Sequence, residues 1–392
     1  MRLEFEYAAL HEAVEVLETA LGESARDPAM SYLVVGVGAA TTTHVVLKVT
    51  NGDVVMVKVV PAKVQGFEKS CVLPIEGERF VQLVKASDNA SITLEFDLDN
   101  RSVEYRCNRL ASRLRVGGEG VVCFPDLREA RSLEVVPVSG LYSGVDFCRQ
   151  FVSADAPQMI EHGKHGFCAG SQSRFGLYSA PGFEGLRFNI PVVSAKALLA
   201  FIEAQVGGVA ELQATADFLV VRFNPVSYVA LRSSVEKFAD ISGAVEYPEE
   251  KFREIVSVNA ELLEQIVKRV AVSLGPGDER MQFSAVDGSA SVAKLVVQAV
   301  GEDARGATEF CEVVRSCTDE DVRFAVRYPQ LLTSINLVGT PTVELRIADN
   351  FVRVAAGGAS RAYLATLVDP NAVEPVKLVE AELTAEEEGE WV

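Results

Sequence analysis

Apolar residues follow a helical period at three places in the chain. The three stripes have the same spacing and consist of Leu10, Val14, Leu17 and Leu21; Leu141, Val145, Cys148 and Val152; and Leu263, Val267, Val270 and Leu274. This spacing places the members of each stripe on one face of a helix. A short apolar strand precedes each stripe, at Leu3 and Phe5, at Val135, and at Val256 and Val258. Three copies of one arrangement predict a repeated module.

A second pattern also occurs three times. An apolar strand leads into another helix, predicted over Glu78 to Ala86, Ser194 to Gln205 and Gln330 to Leu337, and a proline stands close before each. Strands with period-two alternation follow each helix, which is typical of antiparallel sheet with one face buried. Each module is therefore predicted to be an α+β domain in which two helices cover one face of an antiparallel sheet.

Charged connectors at Arg128 to Arg131 and Glu246 to Lys251 separate the modules. They predict domains at residues 1–130, 131–250 and 251–368. Residues 369–392 contain eight acidic residues against Lys377 alone, and this composition predicts a flexible acidic tail. Trp391, the only tryptophan, lies in the tail and is a candidate anchor for a partner.

Charge and cysteine usage narrow the class of protein. A net charge of −18 excludes a generally basic, phosphate-coating surface, so any contact with DNA must be focused. Seven cysteines without a CxxC pair are typical of reduced thiols in the cytosol. The acidic start of the chain is unlike a signal peptide, and no apolar run approaches the ~20 residues that span a bilayer. We therefore expect a soluble cytoplasmic protein.

Several segments, taken in order, resemble a known family. They are Met1-Arg-Leu-Glu-Phe, Val72-Leu-Pro-Ile-Glu-Gly-Glu-Arg-Phe, Ser112-Arg-Leu-Arg-Val followed by Phe124-Pro125-Asp126-Leu127, Lys237-Phe-Ala-Asp-Ile, and Ala362-Tyr-Leu-Ala-Thr-Leu-Val. Together with the tripled order of elements, they resemble the bacterial DNA polymerase III beta-subunit sliding clamps over residues 1–368. The acidic extension and the departures from the family pattern suggest a divergent clamp, such as a phage-encoded one acting in the host cytoplasm.

The resemblance implies a DNA sliding clamp, which is a processivity factor in DNA replication. Two copies would pair head to tail into a ring of six domains, with helices lining the hole. The ring would encircle duplex DNA without reading its sequence and would tether the replicative polymerase through a peptide-binding groove. A clamp loader would be a further partner. We expect no enzymatic activity, no cofactor, no metal and no membrane contact.

Candidate DNA-binding residues are the Lys and Arg side chains on the predicted helices or the adjacent loops: Arg26, Arg79, Lys85, Arg149, Lys164, Lys196, Lys268, Arg269 and Arg327. The resemblance matches Arg26 and Lys164 to DNA-contacting regions of the family. The first helix also carries Glu12, Glu15 and Glu18, which repel phosphate if they face it. We therefore expect weak, salt-sensitive binding to DNA.

The remaining site residues are implied by the resemblance. A groove for short linear peptides would involve Leu177, Pro181, Phe183, Leu186, Phe238, Val245, Thr366, Leu367 and Val368. Thr366-Leu-Val stands where the family usually has an ending like Met-Pro-Met, so the peptide preference is expected to differ. The dimer interface would involve Leu114, Val116, Val272 and Leu274.

Two other classes of protein remain as alternatives. A repeat-built interaction scaffold without DNA encirclement is favoured by the acidic first helix. An enzyme has little support, because His162 and His165 lack nearby Cys or carboxylate clusters and Cys311 and Cys317 are too generically spaced for zinc. Gly36-Val-Gly38 precedes a predicted strand, whereas a phosphate loop needs a helix N-terminus there.

Overall fold

The computed structural model describes residues 1–22, 28–39, 42–88, 90–118, 120–127, 129–154, 157–171, 173–204, 208–233, 241–275, 279–287, 293–299, 307–317, 322–348, 350–355 and 358–366. The chain divides into two compact units. The first unit contains Met1–Glu249 and Arg353–Leu364. The second contains Glu250–Val352, with Ala365 and Thr366 as its last described residues.

The predicted tripled order of elements is confirmed, and each copy is called a module below. The first module contains β1 (Arg2–Phe5), α1 (Tyr7–Glu18), β2 (Tyr32–Val37), β3 (His44–Thr50), β4 (Val54–Pro61), β5 (Lys63–Gln65), β6 (Cys71–Glu76), α2 (Gly77–Lys85), β7 (Ile92–Asp97), β8 (Ser102–Cys107) and β9 (Leu110–Arg115).

The second module repeats this order. It contains β10 (Arg131–Pro137), α3 (Val138–Arg149), β11 (Met159–Gly163), β12 (Gly166–Ser171), β13 (Arg174–Tyr178), β14 (Phe188–Pro191), α4 (Val192–Glu203), β15 (Val209–Ala214), β16 (Phe218–Arg222) and β17 (Tyr228–Arg232). A short helix, α5 (Ser242–Val245), lies in the connector that follows.

The third module contains β18 (Glu254–Asn259), α6 (Ala260–Ala271), β19 (Arg280–Asp287), β20 (Ala293–Ala299), β21 (Thr308–Cys317), β22 (Val322–Arg327), α7 (Tyr328–Val338), β23 (Thr342–Ile347), β24 (Phe351–Ala355) and β25 (Ser360–Ala365). Local signals fix the helix ends here. The Asn259 side chain accepts a hydrogen bond from the Leu262 amide at 2.9 Å and caps the start of α6. Gly339 ends α7 in the left-handed region, with φ of 68°.

The helix stripes face the core as predicted. The first three members of each stripe are buried, for example Leu10, Val14 and Leu17 on α1. The fourth members, Leu21, Val152 and Leu274, lie beyond the helix ends and are half-buried. Each helix therefore ends before the last member of its stripe, and the burial of the stripe decreases at that point. The two helices of each module pack together, and the predicted α+β architecture is confirmed.

Strands of the first unit form antiparallel sheets that are shared between modules. The orders are β5-β1-β7-β8-β9, then β10-β15-β16-β17-β4-β3-β2-β6, then β14-β11-β12-β13-β25. In the second sheet, β17 of the second module pairs with β4 of the first, with Tyr228 opposite Val57. In the third, β25 pairs with β13, with Arg174 opposite Leu364.

In the second unit, the strand order is β23-β18-β21-β20-β19-β22. The long strand β21 has two neighbours on different parts of its length. Its first half pairs with β20 (Phe310 opposite Val296), and its second half pairs with β18 (Val314 opposite Ser257). The three-domain division at residues 130 and 250 stays a prediction, although β10 and β18 begin close to those positions.

Candidate nucleic-acid and partner interfaces

The exposed faces of the six longer helices carry mixed charge. Within their bounds are eight acidic and six basic residues. The buried faces are apolar, so these charges lie on the solvent side. The helices therefore offer a duplex a nearly neutral surface with a slight negative excess, rather than a positive track.

Most of the predicted DNA-binding side chains have acidic partners on the helices or beside them. The ion pairs are Lys85 with Glu18 (2.5 Å), Arg149 with Asp146 (2.7 Å), Lys268 with Glu264 (2.5 Å), Lys164 with Glu246 (2.5 Å), Arg79 with Glu76 (3.9 Å), and Arg269 with Glu309. Each phosphate contact by these cations would have to compete with a neighbouring carboxylate.

Two of the predicted cations differ from the rest. Lys196 on α4 and Arg327 at the start of α7 are exposed, and neither has an ion-pair partner among the residues described above. They are the cations most available to phosphate. Arg26 lies outside the described residues, so its role stays a prediction.

The acidic helix α1 is better balanced than its sequence indicates. Lys58 of β4 has a nearly buried side chain, and its Nζ lies 2.9 Å from Glu12 Oε1. Glu18 pairs with Lys85 of α2, and the His11 ring lies 3.7 Å from Glu15. Two of the three glutamates, Glu12 and Glu18, therefore have a lysine as ion-pair partner. Sequence reasoning missed Lys58, because its partner is 46 residues away along the chain.

The predicted groove residues have very different exposures. Leu177 and Phe183 are each only 1% exposed, so they support a surface rather than form it. Pro181 is exposed, and Leu186 and Val245 are half-buried. Thr366 follows β25, and its amide donates to the carbonyl of Asn350 at 3.0 Å. The other three, Phe238, Leu367 and Val368, lie outside the described residues.

His162 fixes the loop that carries Pro181 and Leu186. Its ring stacks on Phe188 with centroids 5.0 Å apart, and it meets the edge of Phe167 at 4.6 Å. Its Nδ1–H donates to the carbonyl of Leu186 at 3.0 Å. Burial lowers the pKa of His162, partly opposed by that hydrogen bond and by nearby Glu184. The ring is therefore a buried core group whose Nδ1–H is taken up by the Leu186 carbonyl.

Charge pairing joins the next loop to the connector. Lys164 and His165, which follow β11, lie 2.5 and 3.6 Å from Oε1 of Glu246. Glu246 directly follows α5, which carries Val245. These contacts position Val245 relative to the β11–β12 turn. Lys164 is thus engaged with the connector in this structure, although sequence reasoning assigned it to DNA.

The residues predicted for the dimer interface also divide by exposure. Leu114 is fully buried and Val116 is 9% exposed, so both belong to the core of their own chain. Val272, which follows α6, is 86% exposed, and Leu274 is half-buried. Phe310 and Val314 on β21, which the sequence did not single out, are also exposed, at 48% and 75%. The sequence alone carries no signal for them, because exposure on a strand depends on which face a neighbouring element covers.

Two of the strand edges that are open among the described residues, on β9 and on β21, bear on ring closure. Strand β9 is the last strand of its sheet, and the Glu309 to Val313 part of β21 has a neighbour, β20, on one side only. In the first unit, β4 and β13 occupy the same place in their modules as β21. Each of them has its second edge covered by the last strand of another module, β17 or β25.

Signs of catalytic chemistry are weak in the part of the chain that the structure describes. No group of three or more His, Cys, Asp or Glu side chains could hold a metal ion among the described residues. Gly36 lies inside β2, and the next regular element after Gly38 is strand β3. No described helix is long and apolar enough to cross a membrane.

Comparison with known proteins identifies the fold. No protein-family model and no curated protein sequence matches the chain. Solved structures match it closely. A DNA polymerase beta subunit from Streptococcus pyogenes has a TM-score of 0.78 at 12% identity, covering 94% of this chain and 100% of that chain. DNA polymerase sliding clamps from Caulobacter crescentus and Bacillus subtilis have TM-scores of 0.76 and 0.75 at 17% and 12% identity. Both cover 94% of this chain and 99% of their own.

The chain therefore has the fold of the bacterial DNA polymerase III beta sliding clamps. This confirms the fold expected from the order of short segments in the sequence. The sequence is distant from each of these proteins, with identities of 12% to 17%.

Proposed function

We propose that this protein is a DNA sliding clamp that encircles duplex DNA and tethers a replicative polymerase. The observation that carries the proposal is the match of fold over 94% of the chain to proteins described as DNA polymerase sliding clamps. Such a protein acts where DNA is replicated, so we place it in the bacterial cytoplasm. A clamp loader would open the ring to admit DNA.

Ring closure through a second copy is supported by the repeated pattern of strand pairing. The last strand of a module covers the edge of β4 and of β13, whereas the equivalent edge of β21 is open among the described residues. Strand β9 is the last strand of the first module and has an open edge itself. We propose that β9 of one copy pairs antiparallel with β21 of the other, twice per dimer.

The side chains on these two strands favour the pairing. Strand β9 presents Arg113 and Arg115 to solvent, whereas β21 presents Glu312. Phe310 and Val314 add apolar surface that a partner strand would remove from water. The apolar part of this interface therefore comes from β21 and from Val272 rather than from Leu114 and Val116.

Contact with DNA would be loose. A closed ring holds a duplex by topology, so it needs only a few phosphate contacts and no base readout. The nearly neutral helix faces agree with this mode, and Lys196 and Arg327 are the best candidates for direct contact. Affinity for linear DNA would be low and would fall steeply with salt.

Partner peptides would dock near the His162-supported loop. Pro181 and Leu186 offer apolar surface there, with Leu177 and Phe183 buried beneath as rigid support. Short linear peptides from a polymerase or loader are recognised by such apolar anchors. The contribution of Thr366, Leu367 and Val368 stays a prediction.

The test is topological retention on DNA. The full chain is loaded on nicked circular duplex with a bacterial clamp loader and ATP, filtered through a gel column, and compared before and after linearisation by a restriction enzyme. We expect retention on the circle and release after cutting.

One alternative is favoured by a specific observation, the slight negative excess of the helix faces. A protein-interaction scaffold would give equal, low retention on circular and linear DNA. That result, obtained with a chain that is dimeric in solution, would overturn the sliding-clamp proposal. The activity of the bacterial clamp loader is checked in parallel with the clamp from its own species. If that loader does not load this chain, the chain can be loaded on DNA without a loader at high protein concentration.

A further inference from the structure

Strand β10 differs from its counterparts in the other two modules. In the first module, the outer edge of β1 is covered by β5, with Arg2 opposite Gln65. In the third, the outer edge of β18 is covered by the second half of β21. In the second module, residues 179–187 stand where β5 stands in the first, and they form no strand. Among the described residues, β10 is the last strand of its sheet.

The open edge is accessible and has a main-chain donor available. Residues 131–135 are exposed without interruption. The amide of Val135 donates a hydrogen bond to the carboxylate of its neighbour Glu134 at 3.2 Å. The Glu134 side chain is exposed, so the carbonyl of an incoming peptide could take its place as the acceptor. Leu133 and Val135 are 38% and 53% exposed, and Val209 on β15 is 60% exposed. An irregularity between Ser132 and Glu134 turns Leu133 out of the regular ladder.

A cleft at the start of β10 gives this edge a charge preference. The cleft, about 1140 Å³ in volume, is lined by Leu133 and Phe218 together with the acidic residues Asp126, Glu129 and Asp217. Arg131 is the basic residue among its lining. Glu134 and Glu211 add further negative charge beside the strand. The acidic tail of this chain is excluded as an occupant, because like charges repel.

We propose that the β10 edge and its cleft bind an extended basic peptide by strand addition. The peptide would alternate apolar and Lys or Arg residues. Its main chain would pair with β10, its apolar side chains would cover Leu133 and Val135, and its cations would face the carboxylates of the cleft. The His162-supported loop approaches β10 at its end, where Gly182 lies against Pro137. The proposed site uses residues 131–135 and the cleft instead, so the proposal does not depend on ring closure or DNA binding.

The test uses a fluorescent, end-capped eight-residue peptide of alternating Lys and Val, titrated with the full chain and followed by anisotropy. The same peptide with Glu for Lys is the charge control. A version N-methylated at alternate residues is the strand-pairing control. We expect saturable binding of the Lys peptide, with at least tenfold weaker binding of both controls. Failure of the Lys peptide to bind at 1 mM (about −4 kcal/mol) would overturn the proposal.

Protein variants locate the site. Val135→Pro removes the outward amide without touching the core, and it should weaken the Lys peptide about tenfold or more, whereas Val135→Thr keeps the amide and most of the affinity. Glu129→Gln with Asp217→Asn should weaken binding several-fold and lower its salt dependence, whereas Glu68→Gln, elsewhere on the surface, should not. Equal binding by all variants overturns the proposal. A change in oligomer mass with Val135→Pro also overturns it, since a second copy would then occupy the edge. If Val135→Pro misfolds, strand pairing is tested by the N-methylated peptide alone, and binding of that peptide as tight as that of the Lys peptide overturns the proposal.

Discussion

Phe310 offers a quantitative test of the interface proposed for β21. Phenylalanine side chains bury about 150–250 Å², and Phe310 is 48% exposed, so roughly 100 Å² would leave water when a second chain covers it. At ~25 cal/mol per Å² this amounts to about 2.5 kcal/mol. Because alanine keeps part of that surface, we expect Phe310→Ala to cost about 1.5–2 kcal/mol per interface.

A closed dimer contains this interface twice, so the cost doubles to about 3–4 kcal/mol. Each 1.4 kcal/mol is a factor of ten, so the dimer dissociation constant should rise by two to three orders of magnitude. The folding of the chain should change little, because Phe310 lies at the surface. Mass photometry and sedimentation equilibrium over a dilution series measure the effect.

The matched control is Val193→Ala on α4, at an apolar residue that is 74% exposed and distant in sequence from β9 and β21. It should leave the dissociation constant unchanged. If Phe310→Ala and Val193→Ala dimerise equally well, the assignment of β21 to the interface is refuted. If both weaken the dimer alike, the effect is nonspecific and the reasoning from strand edges is also refuted.

Two further predictions concern pH and DNA. Since burial lowers the pKa of His162, the unfolded chain binds more protons than the folded chain near the ordinary histidine pKa, and stability falls as pH drops through about 6.5. His162→Phe should flatten part of the fall in unfolding free energy between pH 7.5 and 5.5 in urea titrations. The matched control is the same substitution at the exposed residue His44 of β3. Parallel curves for the parent protein and both variants would contradict this prediction. Lys196→Glu should reduce the slope of log K for DNA binding against log salt concentration by about one per chain. Lys69→Glu is the surface control. An unchanged slope for Lys196→Glu would show that Lys196 does not contact DNA.

Local patterns predicted the elements well. The first helix of each module was predicted from its stripe, and the second helix from an apolar strand and a proline. The predicted helix over Glu78 to Ala86 matches α2 at Gly77–Lys85 to within one residue at each end. These features follow from hydrophobic period and helix-start signals, which act over a few residues and are therefore visible in sequence.

Long-range pairing was not predictable in the same way. The sharing of β17 with the sheet of the first module depends on register between distant strands, which period-two alternation does not specify. The Lys58–Glu12 pair was missed for the same reason, so α1 seemed more acidic than its surroundings make it. The exposure of individual apolar residues was not predictable from the sequence either. Leu114 and Val272 are both apolar, yet Leu114 is fully buried and Val272 is 86% exposed.

The pairing of β17 with β4 has a consequence for synthesis of the chain. Ser227, at the start of this pairing, accepts a hydrogen bond from the Val59 amide across 168 residues of sequence. The first module therefore emerges from the ribosome with the edge of β4 uncovered. That edge is closed only after residues 228–232 have been synthesised. At about 5–20 residues per second this delay lasts roughly ten to thirty seconds, during which β4 is an aggregation-prone template. Nascent-chain truncations ending before residue 228 should accordingly need chaperone protection that longer ones do not.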